Sequence, residues 1–153
     1  MSVTTSIRAR RLGRGDLELA PRRFALMAQV FRENQEDLRK DYVEDLLSDS
    51  RFWVIAARAG EELVGGITAH ALPLTRKVSS ALFVYDVAVR ADHQRRGVGR
   101  TLMNRLQMEA ASEGIQEIFV LTDKEDTHAF DFYRALGGSA SAVTMFDFAR
   151  SNA

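Results

Sequence analysis

Apolar and polar positions along the chain alternate between two periods, and each change of period marks an element. Residues 7–12 predict a first strand, ended by Gly13 and Gly15. Residues 17–31 predict a helix, with Pro21 near its start, where a missing N–H is tolerated. Over residues 36–48 a second helix places Leu38, Tyr42, Leu46 and Leu47 on one face, with Asp37, Asp41 and Asp45 as a carboxylate stripe. Residues 52–58 and 63–72 predict a hairpin around Ala59-Gly60-Glu61-Glu62, and Pro73 stops its second strand. A polar loop then leads to a hydrophobic strand over 82–89. The helix predicted over 98–113 buries Val98, Leu102, Leu106 and Ala110, and Gly114 stops it. A short apolar strand over 115–121, a helix over 127–136 closed by Gly137-Gly138, and a last strand over 142–148 complete the pattern. Strands alternating with helices predict an α/β (α+β) fold, with a mixed sheet between helices.

Length changes this picture little: 153 residues fit one domain, 1–153. A chain of this size buries enough surface to need no staple. Cysteine is absent, which excludes a disulfide framework, a cysteine zinc site and a cysteinyl acyl-enzyme. His70, His93 and His128 lack metal-ligand spacing, so no metal is expected. No apolar run approaches the ~20 residues of a membrane span, and the N-terminus lacks a signal-peptide core. A cytoplasmic protein is expected. The formal net charge of +0 argues against a general nucleic-acid binder. Its distribution says more. Arg95, Arg96 and Arg100 make one turn basic, whereas residues 33–49 and 123–131 are acidic. Such a layout suits an anionic cofactor and a cationic acceptor, although acidic helix faces are as readily explained by solvation.

The chemistry concentrates at Gln94-Arg95-Arg96-Gly97-Val98-Gly99-Arg100-Thr101. A basic, glycine-containing turn between a strand and a helix N-terminus presents free N–H groups and a positive dipole end to an anion. Leu102 stands where a dinucleotide fingerprint needs its third glycine, and no Gly-Lys-Ser or Gly-Lys-Thr follows Gly97. Both common phosphate loops are therefore excluded. What remains is Gln-x-x-Gly-x-Gly after a strand ending Asp86-Val87-Ala88-Val89. It resembles the acetyl-coenzyme A loop of the GNAT acetyltransferase superfamily.

The resemblance implies a mixed, mostly antiparallel twisted sheet whose central strands splay, with helices on both faces. It implies acetyl-coenzyme A as cofactor. Backbone groups of Val87, Ala88 and Val89 would meet the pantetheine arm, and residues Gln94 to Thr101 the diphosphate, with Arg95, Arg96 and Arg100 adding charge. Phe130-Asp131-Phe132-Tyr133-Arg134-Ala135-Leu136-Gly137 is similar to the superfamily's tyrosine helix. The resemblance gives Tyr133 the role of general acid toward the departing thiolate, its alternative being a core aromatic. Asp86, on the strand that forms the slot, is either the base that relays the amine's proton through water or a recognition charge. Without cysteine, direct attack of the amine is the simplest route, with positioning and carbonyl polarisation as the protein's contribution.

Most of the chain, about residues 7–149, is also similar to the type I aminoglycoside 3-N-acetyltransferases. The similarity is carried by Tyr85-Asp86-Val87-Ala88-Val89, His93, Phe31-Arg32-Glu33, Leu72-Pro73 and Phe146-Asp147, with Asp123 and Asp126 matching acids of that family. It implies a small cationic amine substrate, an aminoglycoside acetylated on the 3-amino group of its 2-deoxystreptamine ring. Glu33, Tyr85, Asp86, Asp123, Asp126 and Asp147 are then the acceptor partners, and a homodimer through the final strand is compatible. Ala81 stands where that family has an acid, and Arg76 and Lys77 lie in the loop before it. Other readings stay open: an acetyltransferase for a polyamine, a lysine or a small metabolite, and a non-catalytic acyl-coenzyme A-binding regulator.

Overall fold

The computed structural model describes residues 6–31 and 38–150. Glu33 and the start of the carboxylate stripe at Asp37 lie outside them. The backbone groups into two compact units, Met1–Leu121 and Thr122–Ala153.

The first unit is built on a five-stranded sheet in the order β1 (Ile7–Arg11), β2 (Phe52–Ala59), β3 (Glu62–Pro73), β4 (Ser80–Val89) and β5 (Glu117–Val120). The first four strands run antiparallel to their neighbours, and β5 joins β4 in parallel. This is the mixed, mostly antiparallel sheet of the sequence reading. β5 pairs only with Ala81, Leu82, Phe83 and Val84. Residues 86–89 of β4 pair with β3 alone, so the sheet opens between β4 and β5 just where the apolar strand approaches its loop. A register shift between Thr68 and Ala69 leaves Tyr85 as the extra residue on β4, a bulge that brings Tyr85 and Asp86 toward one face.

Helices α1 (Leu19–Phe31) and α2 (Lys40–Ser48) and helix α3 (Val98–Ser112) take opposite faces. Two adjacent glycines of β3 show this directly. A Cβ at Gly66 would run into the Arg23 side chain of α1, whereas one at Gly65 would lie 3.0 Å from Val98 and 3.3 Å from Leu102 of α3, and 2.8 Å from the Ala88 carbonyl. Consecutive strand residues face opposite ways, so one helix presses on each side. On the α3 side Ile67, Leu82, Leu102 and Leu106 are fully buried. On the other side Leu19, Leu26, Val43, Val54 and Leu63 belong to a second buried cluster.

α1 begins two residues later than the spacing predicts, because the chain first makes a short 3-10 turn, Arg14–Asp16. The Asp16 carboxylate accepts from the Gly13 N–H at 2.8 Å and from both terminal nitrogens of Arg10. In α2 the buried residue is Val43, with Leu38 and Leu47 against the core. Tyr42, predicted on that face, is 48% exposed. A helix of only nine residues buries a narrow stripe, and Val43 rather than its neighbour lies at its centre. α3 buries the four residues that its periodicity predicts, and Met103 besides.

In the second unit, α4 (Thr127–Ala135) agrees closely with its sequence expectation. The strand predicted over 142–148 is not formed. Residues 138–150 carry no regular structure, and Val143, Met145, Phe146 and Phe148 are exposed. A strand needs a neighbour to pair its N–H and C=O groups, and the described residues of this unit contain no other strand. No helix among the described residues is long and apolar enough to cross a membrane.

Candidate active site

β4 delivers the chain into a tightly held turn. Arg90 donates its N–H to the Val64 carbonyl at 2.8 Å, and its guanidinium forks onto Asp92 at 2.7 Å and Glu62 at 3.0 Å. His93 Nδ1 lies 2.9 Å from the same Asp92 carboxylate. The hydrogen bonds from Arg90, and then His93, hold the Asp92 carboxyl well below the usual carboxylate range. Gln94 does not reach outward: its Nε2 donates to the Val89 carbonyl at 3.3 Å and ties the turn back to the strand end.

Two residues of this turn are left-handed, Arg95 with φ 61° and Gly97 with φ 82°. Gly97 adopts that conformation without strain, while a non-glycine residue there costs roughly 1–2 kcal/mol. Left-handed residues set in such a turn aim successive N–H groups into one concavity, the backbone nest that holds anions. α3 starts at Val98, and its first-turn N–H groups have no carbonyl behind them. Thr101 lies in the first turn of α3. Its hydroxyl donates to the Gly97 carbonyl at 2.8 Å and braces the turn. Arg95, Arg96 and Arg100 are exposed. The local residues thus fit a diphosphate: N–H donors, a helix N-terminus and cationic side chains at one place.

Upstream of the turn, Asp86 is partly buried and accepts from the Thr68 hydroxyl at 3.1 Å. Tyr85 is 63% exposed and is the middle link of a row of rings that the sequence reading missed. The His70 ring lies 5.9 Å from Tyr85 and 5.3 Å from Phe52; Phe83 lies 5.7 Å from Tyr85 and stacks on Phe119 at 4.9 Å. These residues sit on different strands, and only the register that sets His70 opposite Phe83 and Phe52 reveals them as neighbours. Arg23, fully buried in α1, was also missed. The signal available for it was the Gly65-Gly66 pair inside a strand, which marks close approach of another element.

The other predicted site residues lie in the second unit. Tyr133 is half-buried, packed edge-on against Phe132 at 5.1 Å, and its carbonyl accepts from the Gly138 N–H at 3.0 Å. Burial, with the charge of Asp126 adding to it, pushes the Tyr133 phenol up to about 12. Full proton transfer to a thiolate of ordinary affinity near 8.5 is therefore uphill, and hydrogen-bond donation is the easier task. Asp126 is the N-cap of α4, its Oδ1 accepting from the Ala129 N–H at 3.0 Å, a structural duty beside the expected acceptor role. Asp123 and Asp147 are exposed. A concavity of about 540 Å³ lies elsewhere, lined by Arg10, Arg14, Asp16 and Arg58. Among the described residues no group of three or more acids and histidines is arranged to hold a metal ion.

Residues 19–137 match the model of the acetyltransferase (GNAT) family. An aminoglycoside acetyltransferase from an uncultured soil metagenomic sample superposes with a TM-score of 0.90 at 30% identity, over 95% of this chain and 99% of that one. A second soil metagenomic aminoglycoside acetyltransferase, solved with sisomicin, gives 0.90 at 27% identity, over 95% and 97%. Among curated proteins, N-acetyltransferase 8B of Rattus norvegicus is 26% identical over 113 residues. That match takes in 72% of this chain and 48% of the rat protein, so the chain spans about half the length of that relative.

Proposed function

This chain belongs to the acetyltransferase (GNAT) family, whose enzymes use acetyl-coenzyme A, and from that premise we propose that it transfers an acetyl group directly to an amine of a small cationic acceptor. The narrower reading is the 3-amino group of the 2-deoxystreptamine ring of an aminoglycoside. The observation that carries the transferase reading is the pair of left-handed residues, Arg95 and Gly97, set between the one-sided half of β4 and the start of α3. The neighbouring aminoglycoside acetyltransferases, one of them holding sisomicin, support the acceptor class.

Acetyl-coenzyme A supplies the activated acyl carbon. The amides from Arg95 to Arg100 hold its diphosphate, and backbone groups of Val87, Ala88 and Val89 line its arm. Asp86 meets the acceptor's ammonium group, either taking its proton through water or fixing its direction. Tyr133 keeps its proton at neutral pH and serves as hydrogen-bond donor to the departing sulfur. Asp123, Asp126 and Asp147, with Glu33, provide negative charge toward a polycation. A homodimer and a cytoplasmic location complete the reading. An acetyltransferase for another amine is the second reading, favoured by Arg76 and Lys77 ahead of β4, which gain nothing from a polycation.

Thiol release from acetyl-coenzyme A with gentamicin, sisomicin, spermidine and a lysine peptide tests both. The chain has no cysteine, so every thiol detected comes from the cofactor. Release with the two antibiotics, with the product acetylated at the 3-amino group, is expected. Activity confined to spermidine or the peptide would remove the antibiotic reading, and silence with every amine would remove catalysis.

A further inference from the structure

Arg23 is the least expected residue of the first unit. It belongs to α1, its relative exposure is 0%, and none of Nε, Nη1 and Nη2 has a hydrogen-bond partner among the described residues. A buried arginine usually snorkels its head to water or forks onto a carboxylate. Here the head itself is enclosed, and it occupies the volume that a side chain at position 66 would fill: a Cβ on Gly66 would meet Nε, Cδ and Cζ of Arg23. The strand therefore carries a glycine so that a cation can lie flat on the sheet.

The registers say what that cation faces. Gly66 pairs with Ala88, and Thr68 pairs with Asp86. Positions 66 and 68 share a face of β3, one same-face step apart, about 7 Å along the strand. Thr68 donates its hydroxyl to Asp86, so the carboxylate lies over the same face as the guanidinium. Asp86 is the charge that works against the desolvation of Arg23. In a poorly solvated interior, charges over one face of a strand interact more strongly than in water.

We propose that Arg23 is a positioning residue that acts through Asp86: a buried counter-charge, admitted by Gly66, that compensates the Asp86 carboxylate from beneath and limits how far its charge reaches. This rests on the reading of Asp86 as an acceptor-side residue, and it sharpens that reading. A carboxylate compensated from below acts on the amine that touches it, through a hydrogen bond or a proton, and contributes little to drawing a polycation in from solution. Long-range attraction then falls to exposed acids that lack such a partner.

The test uses the full chain with whichever amine releases thiol, and compares Arg23→Met, Arg23→Lys and Gly66→Ala. Arg23→Met is expected to lower kcat by about tenfold, the factor attached to one unit of differential interaction. The KM for the acceptor should hold or fall, because Asp86 then has one counter-charge fewer, and the KM for acetyl-coenzyme A should not move. Arg23→Lys, which keeps the charge, should recover most of the turnover. Gly66→Ala, which evicts the guanidinium without deleting it, should reproduce the Arg23→Met pattern and carries the test if that variant does not fold. In an Asp86→Asn background, Arg23→Met should cost nothing further; additive losses would overturn the coupling. Parallel rises in both KM values would also overturn it, since they report a distorted scaffold. A second readout needs no acceptor: the Arg23 Nε–H resonance should shift in Asp86→Asn. A resonance that does not move overturns the proposal. A shift in a protein that acetylates no amine supports the coupling while the functional reading fails, so the two failures are told apart.

Discussion

Along β4, residues 81–84 have strands on both sides, whereas residues 86–89 have one on β3 alone. The doubly flanked half commits its backbone to the ladder and its side chains to the core, with Leu82 and Val84 buried against α3. The singly flanked half keeps a row of backbone groups beside an opening, carries Asp86, and runs into a turn with two left-handed residues. One strand thus holds a stability segment and a binding segment five residues apart. The apolar run continues through both, broken only at Asp86, and only pairing tells them apart.

Three variants test that division. Leu82→Ala should have the largest effect, about 2–5 kcal/mol off the unfolding free energy for a fully buried leucine, read from urea transitions. The KM for acetyl-coenzyme A of the folded protein should stay unchanged. A loss under about 1 kcal/mol would place the stability elsewhere.

Tyr133→Phe carries the comparison to the second unit. Turnover should fall by about 10- to 10²-fold, as for a lost hydrogen bond to a charged group, with the KM for acetyl-coenzyme A nearly constant. Unaltered turnover would remove the phenol from the chemistry. Its titration gives an independent check. A phenol held up to about 12 in the folded chain, against about 10 when unfolded, binds its proton more tightly when folded. Its contribution to stability is complete below about pH 10 and is lost as the pH rises from there toward about 12. The phenolate missing from an ultraviolet difference titration of Tyr133→Phe against the parent should therefore appear near 12, not near 10.

Gly97→Ala should be mildest. A Cβ at this position meets nothing within 4 Å, so the cost is conformational, about 1–2 kcal/mol for a left-handed alanine. It should surface as roughly a tenfold rise in the KM for acetyl-coenzyme A, with the KM of the acceptor unmoved. Equal rises in both would show that the turn serves more than the donor.

How much of this was legible beforehand follows the same division. The turn at 94–101 and α3 were readable because backbone geometry dictates their residues: a glycine at the left-handed position, apolar side chains every third or fourth place. The row of rings beside Asp86 was readable only in part, because it is assembled from side chains of several elements. Asp86 and Tyr85 stood beside a motif, but the rings of Phe52, His70 and Phe119 become neighbours only through register. Arg23 was invisible for a plainer reason: a charged residue in an amphipathic helix ordinarily reads as surface. The strand expected at 142–148 has the right alternation, yet its unit offers no second strand to pair with it. Tyr42 and Val43 are adjacent, and a short helix gave the periodicity too few turns to choose between them.

Position 65 works as a shim of zero thickness. With hydrogen in place of a methyl, the first turn of α3 settles onto the sheet until Val98 and Leu102 nearly touch the backbone, and that depth fixes how high the phosphate cradle stands above β4. The seating of that turn is therefore set from a strand more than thirty positions upstream of α3. A methyl added there would lie 2.8 Å from the Ala88 carbonyl and 3.0 Å from Val98, so the strand or the helix would have to shift to admit it.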